Sequence, residues 1–483
     1  MKRILIIFLA AAMNLTATSQ VNVTVGGARG LKWEKNQKVI TSASVGDDHY
    51  FVIRTGGISN QTHTLLSLDK NGNTRFMNEV KFDPGEFKNG NYINSMHVVG
   101  NKLLLLTENR DKDAGQNTLI IRTVQSDATV NKDEVKVGSF EFTKLMKPGD
   151  WYAAVTPDKK HLMVAGKLPA EKDESDKLKL FLLDENLKVI AKKDVSLPEG
   201  KRKIHFRDML ASDKGDVYLI ENAYDKTYQY PIIYKASVSS PEVTTTPVQL
   251  EDGSIKSKSY VYDVSPSGDL IVAGYYQKKS GFTVGEVDAF GTWYFNASKP
   301  TEVKVFKFDK AISSMEARGI VFNGNTSYLI GEQYIADRLK QSTQQMMSFD
   351  ENFDYTHKDI VVTAFDETSE KKFELRLYNN WKATNFDQSL YPAYTVMNDK
   401  LTIIYNDQYS KYFPAHSQSE KLPVLVAITN DGLMEAPVTF EKDLDPNKTG
   451  YQLYPQFVNS NGKNEIVLLA GNTVGIRGVI FRQ

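Results

Sequence analysis

"VSPSGDLIVAGYY", residues 264–276, is a short polar turn followed by an apolar strand, and "VTPDKKHLMVAGKL", residues 155–168, repeats the phrase. Pro, Asp, Gly and Ser favour chain reversal, whereas β-branched and aromatic residues suit extended backbone. Looser versions share the grammar: "SVGDDHYFVIRT" (44–55), "VVGNKLLLLTEN" (98–109), "LASDKGDVYLIENA" (210–223), "VFNGNTSYLIGEQY" (321–334), "VMNDKLTIIYND" (396–407) and "VNSNGKNEIVLLAG" (458–471). That makes eight copies. Their spacing of about 50 to 60 residues lies just above the period of propeller blades.

A second phrase follows each copy: an apolar strand, an Asp or Asn turn, and an alternating strand. Examples are "LLSLDKNGNTRFMNEVKF" (65–82), "LFLLDENLKVIAKKDV" (180–195), "MMSFDENFDYTHKDIVV" (346–362) and "VLVAITNDGLMEAPVTF" (424–440). Each reads as a hairpin, because Asp, Asn and Gly tolerate the left-handed angles of tight turns. Two hairpins per period make a four-stranded antiparallel unit that cannot bury both faces alone; radial stacking covers them. The expected fold is all-β: a single β-propeller of eight blades, or seven if one unit is misparsed.

The chain ends support ring closure. The last unit stops one strand short after "GIRGVIFRQ" (475–483), while "VNVTVGGARGLKWEK" (21–35) offers a spare strand. Pairing the two closes the ring. The segment "DETSEKKFELRLYNNWKATNFDQSLYP" (366–392) reads as an irregular insertion between the sixth and seventh units, holding a short helix or extra strands.

With these residues in view, "VSPSGDLIVAG" and "VTPDKKHLMVAG" resemble the Ser-Pro-Asp-Gly turn and following strand of TolB-like and YVTN-type bacterial propeller repeats. The resemblance implies the fold. It carries over no activity, because propellers host both binding proteins and several enzyme classes.

Composition narrows the function classes. Met1, Lys2 and Arg3 precede the apolar run "ILIIFLAAAM", and Ala17, Thr18 and Ser19 precede Gln20, the layout of a cleaved export signal. Residues 1–19 are expected to be removed and residues 20–483 to form the propeller, in the periplasm or outside the cell. No later stretch approaches the roughly 18 consecutive apolar residues of a spanning helix. Cysteine is absent, which excludes disulfides, thiolate metal sites, a cysteine nucleophile and a lipoprotein anchor. Basic and acidic residues balance at 59 each and the basic ones are dispersed, arguing against nucleic acid as a partner.

In a propeller, the starts of the innermost strands ring the channel on the face that carries the d-to-a and b-to-c connections. Those positions hold Trp151 and Tyr152, His205, Arg207 and Asp208, Tyr260 and Tyr262, Glu316 and Arg318, and Tyr391 and Tyr394. Rings offer flat apolar contact, while Arg, Asp and Glu supply directional hydrogen bonds. The expected binding set is Tyr152, His205, Arg207, Asp208, Tyr260, Glu316, Arg318 and Tyr391. The plainer reading is that such residues satisfy one another around a wet channel. Alternation sends His205 and Arg207 to one side of their strand and Asp208 to the other. Aromatic-rich loops are expected at 221–231, 274–300 and 405–423, adding a recognition surface.

Catalytic motifs mostly fail. Residues 369–372 and 448–450 match two penicillin-recognising elements, but the intervening Ser-Asp-Asn is missing. No Gly-x-Ser-x-Gly elbow, phosphate-binding glycine loop or His-Glu-x-x-His zinc motif occurs. The expectation is an exported non-catalytic propeller, without cofactor or metal, that binds a glycan, a peptide or an envelope protein. The alternative is a carbohydrate-active hydrolase or lyase, for which Glu316, Asp208 and Asp225 are the first acids to consider.

Overall fold

In the computed structural model, the described residues are 21–28, 37–56, 62–80, 91–142, 149–169, 175–198, 204–225, 228–251, 253–256, 258–278, 288–299, 302–338, 353–384, 392–415, 421–440, 444, 452–459, 464–472 and 475–482. The export-signal expectation, on residues 1–19, lies outside them. Eight antiparallel sheets follow one another in chain order. Within each blade, strand a lines the channel and strand d is outermost. Blade 1, for example, comprises Lys38–Val45, Asp48–Thr55, Thr62–Leu68 and Thr74–Glu79.

All eight quoted turn-strand phrases fall on the junction of strands a and b. The turns follow the expected chemistry: in blade 7, Asn398 and Asp399 both adopt positive φ, 45° and 57°, which brings Ala393–Met397 back against Lys400–Gln408. The second phrase holds with one correction. In blade 6, strand c runs unbroken over Phe353–Phe365 and its hairpin turns at Asp366 into strand d, Lys371–Leu377. The Asp350 turn read in 346–362 lies outside the described residues. The supposed insertion 366–392 therefore contains the outer strand of blade 6, plus a short strand, Trp381–Thr384, that pairs strand c.

Ring closure occurs as the chain ends suggested. Asn22–Val25 is strand d of blade 8, antiparallel to Ile476–Arg482, with Asn22 opposite Arg482 and Val25 opposite Val479.

The core is distributed over the eight seams between blades. Blade 2 shows why strand b reads as continuous apolar sequence: in Lys102–Asp111, Leu103 and Leu105 enter the seam with blade 1, while Leu104 and Leu106 enter the seam with blade 3. Successive side chains point to opposite faces, and both faces are covered. Fully burying each leucine contributes roughly 1.5–3 kcal/mol. Leu104→Ala would cost about 2–5 kcal/mol, because the cavity it leaves closes only in part. The eighth seam joins Phe51, Ile53, Leu66 and Leu68 of blade 1 to Val467, Leu469, Ile476 and Ile480 of blade 8, so the ring is closed by side chains as well as by backbone. Among the described residues, no helix is long and apolar enough to cross a membrane.

Candidate functional site

The channel wall owes its chemistry to a recurring irregularity. Strand a of blade 2 (Asn91–Val99), blade 4 (Phe206–Ala211) and blade 6 (Met315–Asn323) each contains a β-bulge near its start. The extra residue is Asn94, Arg207 and Arg318, respectively. A bulge sets two residues against one and re-aims their side chains. Asn94 Nδ2 thereby reaches the carbonyl of Trp151 in blade 3 at 3.0 Å, and Arg207 Nη1 reaches that of Tyr260 in blade 5 at 3.3 Å. In blade 6 the direction reverses, as the Tyr394 hydroxyl of blade 7 donates to the Arg318 carbonyl at 2.6 Å. That approach needs Gly319, where a Cβ would sit 1.8 Å from the Tyr394 hydroxyl oxygen.

The blade 4 bulge overturns the expected alternation. Arg207 and Asp208 are consecutive and both exposed to the channel, with Phe206 and Met209 buried on either side. The Arg207 guanidinium lies 5.3 Å from the centre of the Tyr260 ring and 5.7 Å from that of Tyr262, a cation–π arrangement that holds the side chain in place. Asp263 of blade 5 feels the charge of Asp208 of blade 4. Both reach channel water, yet the surrounding ring of protein thins that solvent. Desolvation therefore pushes both carboxyls up, and the charge of Asp208 adds to the rise at Asp263. Burial first, then neighbouring acids including Asp208, also pushes up the hydroxyls of Tyr152 and Tyr262.

Blade 6 carries a denser cluster. Arg318 Nε donates to Glu332 at 2.8 Å and Nη1 to Glu316 at 2.9 Å. Lys258 also reaches Glu316 at 3.2 Å. His357 Nδ1 lies 2.6 Å from the second oxygen of Glu332, and both residues are fully buried. Burial alone would push the Glu332 carboxyl up; the charges and hydrogen bonds of His357 and Arg318 outweigh it and hold the carboxyl below its ordinary value. Tyr334 lies under the Arg318 guanidinium, 4.9 Å from centroid to cation. Blade 2 holds a related group, in which Glu108 accepts from Asn94 at 2.8 Å and from Arg110 at 2.9 Å. There Arg110 covers Tyr92, also at 4.9 Å.

The structure thus gathers the expected residues into two groups. Arg207, Asp208 and Tyr260 belong to the first, joined by Tyr152, whose hydroxyl donates to the Phe206 carbonyl at 3.4 Å. Glu316 and Arg318 belong to the second. Tyr260 is a correction as a contact residue: its ring is buried in the seam between blades 4 and 5, and its hydroxyl donates to Asn222. His205 is exposed. Tyr391 and the side chain of Asp225 lie outside the described residues. Trp151 is buried between blades 2 and 3, stacked on Phe140 at 4.8 Å.

Part of the aromatic material expected in loops is core. Tyr275, Tyr276, Trp293 and Tyr294 sit on blade 5 strands Leu270–Lys278 and Ala289–Asn296 and are buried, as are Tyr405 and Tyr409 of blade 7. Tyr224 is exposed. Sequence reading missed Asp263, Glu332, Tyr334 and His357. The available signal for Glu332 was the single charged residue in the largely apolar run "YLIGEQYIA" (328–336). Among the described residues, no three His, Asp or Glu side chains converge as a metal would require.

No family model matches the chain, and comparison with curated proteins finds no match. Among solved structures, the chain is similar to the β-propeller domain of the Trilobed protease from Pyrococcus furiosus, at 9% identity over 83% of this chain and 96% of that one, with a TM-score of 0.39. It is also similar to an α-L-arabinanase of Penicillium chrysogenum complexed with arabinobiose, at 12% identity over 65% and 94% of the two chains, TM-score 0.38. The polysaccharide lyase Uly1 matches at 10% identity over 92% of this chain and 89% of that one, TM-score 0.39. At such identities and scores, these likenesses say nothing of what this chain binds or does.

Proposed function

We propose that the protein binds a carbohydrate on the channel wall of blades 4 and 5. The observation that carries this reading is the bulge that sets Arg207 and Asp208 side by side, exposed, beside the rings of Tyr152 and Tyr262. A fixed donor next to an acceptor matches neighbouring sugar hydroxyls, and the rings supply flat apolar contact. The acids of blade 6 fit a supporting role: Glu316 is spanned by Lys258 and Arg318, and Glu332 by Arg318 and His357. Glycan-array screening followed by calorimetry on the captured glycan tests this. Arg207→Ala and Asp208→Asn should each weaken binding by about tenfold, the value of one charge-assisted hydrogen bond. Affinity unchanged in both variants, or capture of peptides or envelope proteins but no glycan, would overturn it. N-terminal sequencing of exported protein, with Gln20 as the first residue expected, tests the accompanying proposal of a cleaved leader.

A second reading, hydrolysis, draws support from one observation: Asp208 and Asp263 are neighbouring carboxyls that desolvation pushes up, as a general acid requires. Release of reducing ends from the bound glycan, abolished by Asp263→Asn, would favour it over simple binding.

A further inference from the structure

A cavity of about 570 Å³ opens on the opposite face, among the a-to-b turns of blades 1 to 3. This volume lies within the range of small-molecule sites. Its polar lining comes from Ser42, Ser44, His97, Asn101, Thr156 and Lys159; the remaining lining residues are apolar or glycine.

A chain of hydrogen bonds runs from the channel wall to His97. The Asn94 amide nitrogen donates both to Glu108 and to the Trp151 carbonyl, at 2.8 and 3.0 Å. Both partners only accept, so the orientation of the amide is set. Its oxygen faces the Ser95 hydroxyl, at 3.0 Å. When Ser95 donates to Asn94, it accepts from His97 Nε2, at 2.8 Å. In that arrangement the imidazole carries its proton on Nε2 and Nδ1 is the acceptor. Burial agrees, lowering the His97 pKa to about 4 and keeping the ring neutral. Hydrogen bonds thus connect the buried Glu108 on the channel wall to a residue lining a cavity at the far end of strand a.

We infer that this cavity is a second ligand site, for a neutral polyhydroxylated molecule such as a monosaccharide, one hydroxyl of which donates to His97 Nδ1. The lining has no carboxylate to hold a cation, and Lys159 at the exposed rim opposes one. An anion would meet the acceptor lone pair of His97. Hydroxyls and an apolar wall suit a sugar ring.

Saturation-transfer NMR on the full chain tests this with glucose, galactose and myo-inositol as probes and with choline and acetate as charged controls. Transfer is expected from at least one polyol and from neither control. His97→Leu should weaken that polyol by about fivefold or more, the worth of one hydrogen bond. Ser95→Ala, which removes only the orienting hydroxyl, should weaken it by about threefold. Asp208→Asn should leave it unchanged, separating this site from the channel-wall site. Absence of polyol transfer, transfer undiminished in both His97→Leu and Ser95→Ala, loss in Asp208→Asn, or an equal signal from choline or acetate would each overturn the inference.

Discussion

Blades 2 and 6 lie four places apart in a ring of eight and so face each other across the channel. Each buries a glutamate at the same point of strand b, Glu108 and Glu332, beside a bulge in strand a. Each also sets an arginine over a tyrosine ring at 4.9 Å. The sources differ. In blade 2 the arginine is on strand b (Arg110) and the tyrosine on strand a (Tyr92); in blade 6 the arginine comes from the bulge (Arg318) and the tyrosine from strand b (Tyr334). An exchange of strands alters the solvation of the pair. The Arg110 side chain keeps 27% of its surface in water, whereas Arg318 keeps 15% and His357, sealing the far side of Glu332, keeps none. Similar parts thus make an ion pair whose arginine is partly in water on one wall and a more desolvated cluster on the other. Desolvated charges depend far more on their partners.

The contrast is exposed most strongly by charge removal. Glu332→Gln removes the buried carboxylate that Arg318 and His357 both contact, leaving Arg318 only Glu316, and should destabilise the protein by about 3–5 kcal/mol in denaturant unfolding. Glu108→Gln should cost only about 1–2 kcal/mol, because water can replace the lost partner of Arg110. Equal costs would remove the distinction between the two walls.

Acid titration follows in size. The folded-state pKa of Glu332 lies below its ordinary value of 4.5. Its stabilisation is therefore present above that ordinary value and fades as pH falls through the lower folded value. The acid limb of stability should be shallower in Glu332→Gln than in the wild type. Asp208 has the opposite sign: its raised pKa means the charged form costs stability once pH exceeds the ordinary aspartate value of 3.8. Asp208→Asn should gain less than about 1 kcal/mol near neutral pH, since solvent screens the exposed carboxylate. Smallest of all, Tyr92→Ala should cost about 0.5 kcal/mol, the worth of an exposed cation–π contact, with thermal unfolding as the readout.

The ring was legible because its grammar is local. Turns such as Asn398-Asp399 announce themselves by residue type, and strand b reads as core because both faces are buried. The spare strand at 22–25 was legible as the missing partner of 476–482. Much of the channel wall was not. A bulge shifts the period-two pattern by one residue, so nothing in "IHFRD" (204–208) shows that Arg207 and Asp208 share a side. Glu332 and His357 meet across strands b and c, a partnership that arises only from long-range pairing. The aromatics of 274–300 misled for a related reason: strand residues such as Trp293 resemble a recognition loop in composition, and only their pairing shows them to be core.

The backbone ladder between Asn22–Val25 and Ile476–Arg482 governs when the molecule can be finished. A ribosome delivers Asn22–Val25 long before Ile476–Arg482 exists, so the seam between the first and eighth blades stays open until that strand is made. Completion therefore waits on the eighth blade. Until then, the apolar surface around Phe51 and Leu66, which the last blade will cover, is what a chaperone would have to guard.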